Sequence, residues 1–163
     1  MPAVISRFDR GLTVVQRTSD VDLARVMTFI RKGIFVSDRV SIDPYFTLSQ
    51  SGNRYANWLQ SMVQKGGRLY EVLQDERPVG FFVICRVDEH TVDPVLMALY
   101  DEQHDRGMGA LLHKKTLDTC FEWGCKRMQS TIVSNNAKVL RVYVNAGASI
   151  EDTWYTFVKH VKP

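Results

Sequence analysis

The apolar positions of this chain follow two periods that change place along its length. Residues 12–17 (Leu-Thr-Val-Val-Gln-Arg) are short and β-branched and read as a strand. Thr18, Ser19 and Asp20 follow, with side-chain oxygens able to cap a helix over about 21–31. Residues 33–47 lose all periodicity and hold Asp38, Arg39, Asp43 and Pro44, which predicts a loop of the kind that carries function. From about Ser49 to Gln64, Tyr55, Trp58, Leu59 and Met62 recur at the spacing of one helical face, and Gly66-Gly67 ends the pattern.

Three strand-like runs follow at about 68–74, 79–88 and 91–100, the first two joined by a turn at Asp75-Glu76-Arg77-Pro78. The middle run, Val79-Gly-Phe-Phe-Val-Ile-Cys, is apolar on both faces and belongs in the centre of a sheet. Helical spacing returns over about 109–123 and stops at Gly124. Residues 126–133 read as another strand, Asn135 and Asn136 open a helix to about Ala146, and residues 153–161 read as a last strand. The order β-α-α-β-β-β-α-β-α-β predicts an α+β domain, a mixed and mostly antiparallel sheet flanked by helices. With no internal repeat, linker or low-complexity tract, residues 1–163 are expected to form a single domain.

Composition narrows the function classes. The chain has 163 residues, 45% hydrophobic and 24% charged, enough apolar surface for a core of ordinary size. A net charge of +3 falls short of a nucleic-acid-binding arm or a polybasic membrane patch, so neither partner is expected. Cys85, Cys120 and Cys125 form no C-x-x-C pair and have no histidine at zinc-ligand spacing, which predicts free thiols and no metal site. The first residues lack the pattern of a signal peptide and no run of 18 apolar residues occurs, so a soluble, cytoplasmic protein is expected.

The chemistry concentrates where a strand runs through Leu99-Tyr-Asp-Glu-Gln-His-Asp-Arg-Gly-Met-Gly-Ala into a helix. Gly107 and Gly109 let the backbone turn sharply, and the unpaired N–H groups of the following helix favour an anion. A P-loop is excluded because Gly109 is followed by Ala110 and Leu111, not by Lys-Ser/Thr; a dinucleotide fingerprint is excluded by Leu112. A tight turn alone would also explain the two glycines. Downstream, Asn136 stands at a helix start and Tyr143 two turns later on roughly the same face.

Taken together, strand, His104-Asp-Arg-Gly-Met-Gly-Ala110, helix, strand and Asn136-x6-Tyr143-x3-Gly147 resemble the acetyl-CoA-binding half of the GNAT family of N-acetyltransferases. The upstream elements match the family order, so the resemblance spans nearly the whole chain. Two segments, Arg39 to Val63 and Asn136 to Tyr155, are most similar to bacterial dTDP-fucosamine acetyltransferases and related amino-sugar enzymes. The family cradle begins with Gln or Arg where this chain has His104, with Gln103 and Arg106 beside it.

The resemblance implies an acetyl-CoA-dependent transfer of acetyl to a primary amine, through a tetrahedral intermediate, with no metal. It assigns acetyl-CoA contacts to Met97, Leu99, His104, Asp105, Arg106, Gly107, Met108, Gly109, Ala110 and Asn136, and the general-acid position to Tyr143. A phenol near pKa 10 protonates a thiolate near 8.5 uphill by roughly 2 kcal/mol, so Tyr143 is expected to share its proton late. Asp93, Asp101, Glu102 and Asp43 are the candidate bases, while His90, His113 and His160 are expected to be solvated or satisfied. Arg39, Asp43 and Arg54 are the candidates for substrate contact, as sugar hydroxyls or nucleotide phosphate would suit them. The amine is expected to be a small molecule, a nucleotide-linked amino sugar first. A polyamine, an antibiotic, a protein N-terminus, or a non-catalytic acyl-CoA-binding role are the alternatives, and a homodimer is left open.

The basic excess has a place. Residues 103–141 hold seven cationic against three anionic side chains, a net +4, so the remainder of the chain carries −1. A polyanionic cofactor would be steered towards that segment.

Overall fold

The computed structural model describes residues 11–38, 40–100 and 107–161. The elements are β1 (Leu12–Arg17), α1 (Asp20–Arg31), α2 (Leu48–Gln64), β2 (Arg68–Gln74), β3 (Arg77–Arg86), β4 (Thr91–Leu99), α3 (Met108–Glu122), β5 (Arg127–Met128) and α4 (Ala137–Asn145). The five strands form one sheet in the order β1-β2-β3-β4-β5, antiparallel except for the parallel pair β4 and β5. The α+β architecture expected from the pattern is therefore present.

Local chemistry sets most boundaries. Ser19 caps α1 by accepting from the Asp22 N–H, and Thr47 with Gln50 closes a reciprocal capping box on α2. The β2–β3 hairpin turns on Asp75 and Glu76 alone, both at positive φ as a two-residue hairpin requires. Arg77 and Pro78, expected in the turn, instead begin β3.

The sheet is buried on both faces. Val26 and Ile30 of α1 with Ala56 and Leu59 of α2 cover Leu69, Phe81, Val83 and Leu96. Leu111, Leu112 and Cys120 of α3 cover Tyr70, Val72, Phe82, Ile84 and Val92. α1 and α2 cross closely at Gly52, where a Cβ would lie 2.7 Å from the Arg31 carbonyl oxygen.

Two expected strands differ. The strand expected over 126–133 is reduced to Arg127–Met128. Gln129 N–H still donates to the Val92 carbonyl, but the next outward position on β4 is Pro94, which has no N–H to continue the ladder. The last strand, expected over 153–161, does not form. That segment has the composition of a strand, but composition supplies no neighbouring edge, and here it runs exposed.

Candidate active site

The site begins at the end of β4. Tyr100 N–H donates to the Val79 carbonyl, which fixes the parity of the antiparallel pair: the backbone of Ala98 and Leu96 faces β3. The N–H and C=O groups of Met97 and Leu99 therefore point to the opposite edge, where β5 has already separated. The separation is built in twice, by Pro94 and by a β-bulge. Opposite Val83 and Ile84 stand Leu96 and Pro94, leaving Val95 as the extra residue. Among the described residues, the outward backbone of Met97 and Leu99 thus has no strand partner where β5 parts from β4.

The start of α3 lies just beyond. Gly107 is its N-cap, at φ 113°, and supplies no side-chain cap, so the first N–H groups of the helix are directed outward. Met108 anchors the turn by burying its side chain against the sheet. At Gly109, which has helical backbone, a Cβ would meet nothing within 4 Å. Among the described residues no neighbour requires a glycine there. Ala110 donates to the Gly107 carbonyl within the same turn. His104, Asp105 and Arg106 lie outside the described residues, as do Arg39, Asp101 and Glu102.

Tyr143, on α4, is 6% exposed. Burial raises the pKa of its phenol and nearby Asp93 adds to the rise, while the Ser130 hydroxyl opposes it by hydrogen bonding. Ser130 itself donates to the Pro94 carbonyl at 3.5 Å, which ties this corner to the edge of β4. The phenol is therefore a proton donor held neutral. Asn136, predicted as a cofactor contact, caps α4 by accepting from the Val139 N–H at 3.3 Å.

Two further side chains have buried polar atoms with no hydrogen-bond partner among the described residues. Asp93 Oδ1 is buried and unbonded among the described residues, and burial pushes its carboxyl up to about 6. His113, 2% exposed, has neither ring nitrogen bonded among them, and burial pulls its pKa down to about 4. His113 is thus buried rather than solvated, and unbonded among the described residues, contrary to expectation, because α3 turns it inward against Tyr143.

The loop before α2 forms a second wall. Asp43 accepts from the Tyr45 N–H at 3.0 Å and pairs with His160 Nε2 at 2.8 Å, and both contacts lower its pKa. Arg54 faces Asp38 at 3.9 Å, and the Asp38 carboxylate also accepts from Val40 N–H and Ser41. Tyr45 stacks on His160 with ring centroids 4.0 Å apart. Asp43 is thus tied to a histidine 117 residues away, while Arg54 is paired with Asp38. Sequence reasoning missed His160 and Ser130 because no local pattern joins them to their partners.

Among the described residues, no helix is long and apolar enough to cross a membrane and no group of His, Cys, Asp or Glu could hold a metal ion.

Comparison with known proteins agrees with this fold. Uncharacterised N-acetyltransferases of Mycobacterium bovis and Mycobacterium tuberculosis are 30% identical over 79 residues, 48% of this chain and 51% of theirs. The chain thus spans about half the length of the curated relatives it matches. An acetyl-CoA-bound GNAT family acetyltransferase from Elizabethkingia anophelis superposes with a TM-score of 0.63 at 15% identity, covering 88% of this chain and 79% of that one. An aminoglycoside acetyltransferase from an uncultured soil sample, in complex with trehalose, does so with 0.57 at 17% identity, covering 95% and 99%. The model of the acetyltransferase (GNAT) family matches residues 37–148, well over half of the sequence, and the chain belongs to that family.

Proposed function

We propose that this protein transfers the acetyl group of acetyl-CoA to the primary amine of a small amino sugar. The observation that carries the reading is the open edge of β4, with Met97 and Leu99 facing it, beside a helix start whose Gly109 no described neighbour requires. Acetyl-CoA, when bound, supplies an activated thioester. Met97 and Leu99 would pair with its amide-bearing arm as a neighbouring strand would, and one of their N–H groups would donate to the developing oxyanion. Gly107, Met108, Gly109 and Ala110 would hold the pyrophosphate, with His104, Asp105 and Arg106 completing the cradle. The net +4 of residues 103–141 favours such an anion.

Tyr143 would donate a hydrogen bond to the leaving thiolate and share its proton late, because burial raises its pKa and makes full transfer still more uphill. Of the carboxylates considered as base, Asp43 is occupied by His160. Asp93 is unbonded at Oδ1, its pKa lies near 6, and its charge is felt at Tyr143, so we assign it the role of accepting the amine proton.

An amino sugar would suit the polar and aromatic side chains at the loop before α2, Asp43, Tyr45 and Phe46 around His160 and Arg54 beside Asp38, and the similar enzyme from soil is an aminoglycoside acetyltransferase. Release of thiol from acetyl-CoA should be followed with dTDP-linked and UDP-linked amino sugars, aminoglycosides, polyamines and a peptide N-terminus. Turnover fastest on an amino sugar is expected. Turnover confined to polyamines or peptides would overturn the substrate, and cofactor binding without turnover on any amine would overturn the activity.

A further inference from the structure

The turn that ends α3 brings two thiols together. Trp123 caps the helix, Gly124 follows at φ 72°, and its N–H donates to the Phe121 carbonyl at 2.9 Å. In a helix ending of this left-handed kind, the second residue past the cap folds back onto the third residue before it. Here those two positions are Cys125 and Cys120. Both side chains are free thiols, 6% and 3% exposed, in one core cluster, and both line a single cavity of about 40 Å³. Burial, together with the charge of Cys125, pushes the Cys120 thiol up to about 12.

Their surroundings give the two thiols different chemistry. Lys126 and Arg127 follow Cys125 directly and line the same cavity, Arg127 being paired with Glu151. Cationic neighbours favour the thiolate, which is the reactive form of cysteine, whereas apolar burial keeps Cys120 protonated. A water needs about 10–15 Å³ of accessible volume, so the cavity admits a molecule the size of hydrogen peroxide. Cys85 supplies an internal contrast. It is more exposed than either of the pair, lies against Met62 Sδ at 3.9 Å and packs on the opposite face of the sheet.

We propose that Cys125 and Cys120 form a dithiol site that a hydroperoxide oxidises to a disulfide across the end of α3. The Cys125 thiolate attacks one peroxide oxygen and breaks the O–O bond; the departing oxygen takes up the proton lost from Cys125 and leaves as water or an alcohol. Cys125 is then a sulfenic acid. Cys120 attacks its sulfur, the S–O bond breaks, and the Cys120 proton leaves with the hydroxyl as water. Two thiols are oxidised and one hydroperoxide is reduced for each disulfide formed. The bond ties the last turn of α3, whose first turn belongs to the candidate active site, to the chain entering β5. Such a site is independent of the acetyltransfer reading.

The test is treatment of the native protein with hydrogen peroxide, then denaturation, alkylation of the remaining thiols and tryptic mass mapping. Residues 116–126 form one tryptic peptide that holds both cysteines, and it should appear unalkylated and lighter by two hydrogens. Cys85 should be alkylated, and dithiothreitol should restore all three thiols. Cys120→Ala should stop at a sulfenic acid on Cys125 that dimedone traps, while Cys125→Ala should leave Cys120 reduced, both with wild-type helical circular dichroism. The wild-type map tests the pair without any substitution, and the variants assign the order of attack. Three intact thiols in the wild type, oxidation of Cys85 ahead of the pair, a disulfide between molecules, or unchanged oxidation of Cys120 in Cys125→Ala would overturn the proposal.

Discussion

The imidazole of His113 lies against the phenol ring of Tyr143, with ring centroids 4.2 Å apart and planes at 47°. Neither imidazole nitrogen finds a partner among the described residues, so the ring serves as an aromatic plate behind the tyrosine. His113→Phe should keep that packing and remove two unpaired polar atoms, raising stability at pH 7 by about 1 kcal/mol. The folded His113 binds fewer protons than the unfolded one between about pH 4 and its usual 6.5. Wild-type stability from this group is thus lost as pH falls through that window, and the variant should lose less. Urea midpoints at pH 5 and pH 7 check both.

Asp93 works in the opposite sense. Its folded carboxyl, near 6, holds a proton that the unfolded chain releases near 4, so its contribution is fully present below about pH 4 and lost as pH rises through 6. Asp93→Asn should therefore be more stable than wild type at pH 8, by on the order of 1–2 kcal/mol, and equal at pH 4. If Asp93 accepts the amine proton, kcat/KM rises through pH 6 in the wild type, and that limb disappears in the variant. Thermal melts and a pH–rate profile on the same two proteins separate the structural effect from the catalytic one.

The two glycines of the α3 turn should part company. At Gly109 an added Cβ has open space and helical backbone, so Gly109→Ala should fold as well as wild type or better by about 0.5–1 kcal/mol, while KM for acetyl-CoA rises. At Gly107, φ 113° strains any other residue, and Gly107→Ala should cost about 1–2 kcal/mol. Equal KM for Gly109→Ala and wild type would remove that residue from the cradle.

Glu71 is fully buried on β2 and accepts hydrogen bonds from Arg17 Nε at 2.8 Å, from Arg25 and from the Tyr100 hydroxyl. Glu71→Ala removes the buried partner of Arg17, Arg25 and the Tyr100 hydroxyl, and because both arginines are partly exposed and keep Asp22 it should cost about 1–3 kcal/mol in chemical denaturation. Tyr100→Phe removes one hydrogen bond to a charged group and should cost about 1–3 kcal/mol. Because Tyr100 stands at the end of β4 beside Met97 and Leu99, both variants should also raise KM for acetyl-CoA.

Periodicity and capping residues made most of this fold legible: Ser19, the apolar helical face of α2 and the two-faced apolar run of β3 act locally, and each element they predicted is present. The separation of β5 was not legible in advance, because Pro94 matters only once it is known to face outward. The tail from Thr153 carries strand composition without a strand, since its neighbour is not local in sequence. At the site, Met97, Leu99, Gly107 and Tyr143 stand where the pattern placed them in the fold. The pairing of Asp43 with His160 and the unbonded state of Asp93 depend on distant packing that no spacing encodes.

Tyr143 is the residue on which the acetyltransfer reading depends most. The central measurement is kcat for thiol release from acetyl-CoA by wild type and Tyr143→Phe, at saturating amino sugar and matched pH. A fall on the order of 10²-fold in kcat with little change in KM for acetyl-CoA is the expected result. An unchanged kcat would contradict the account.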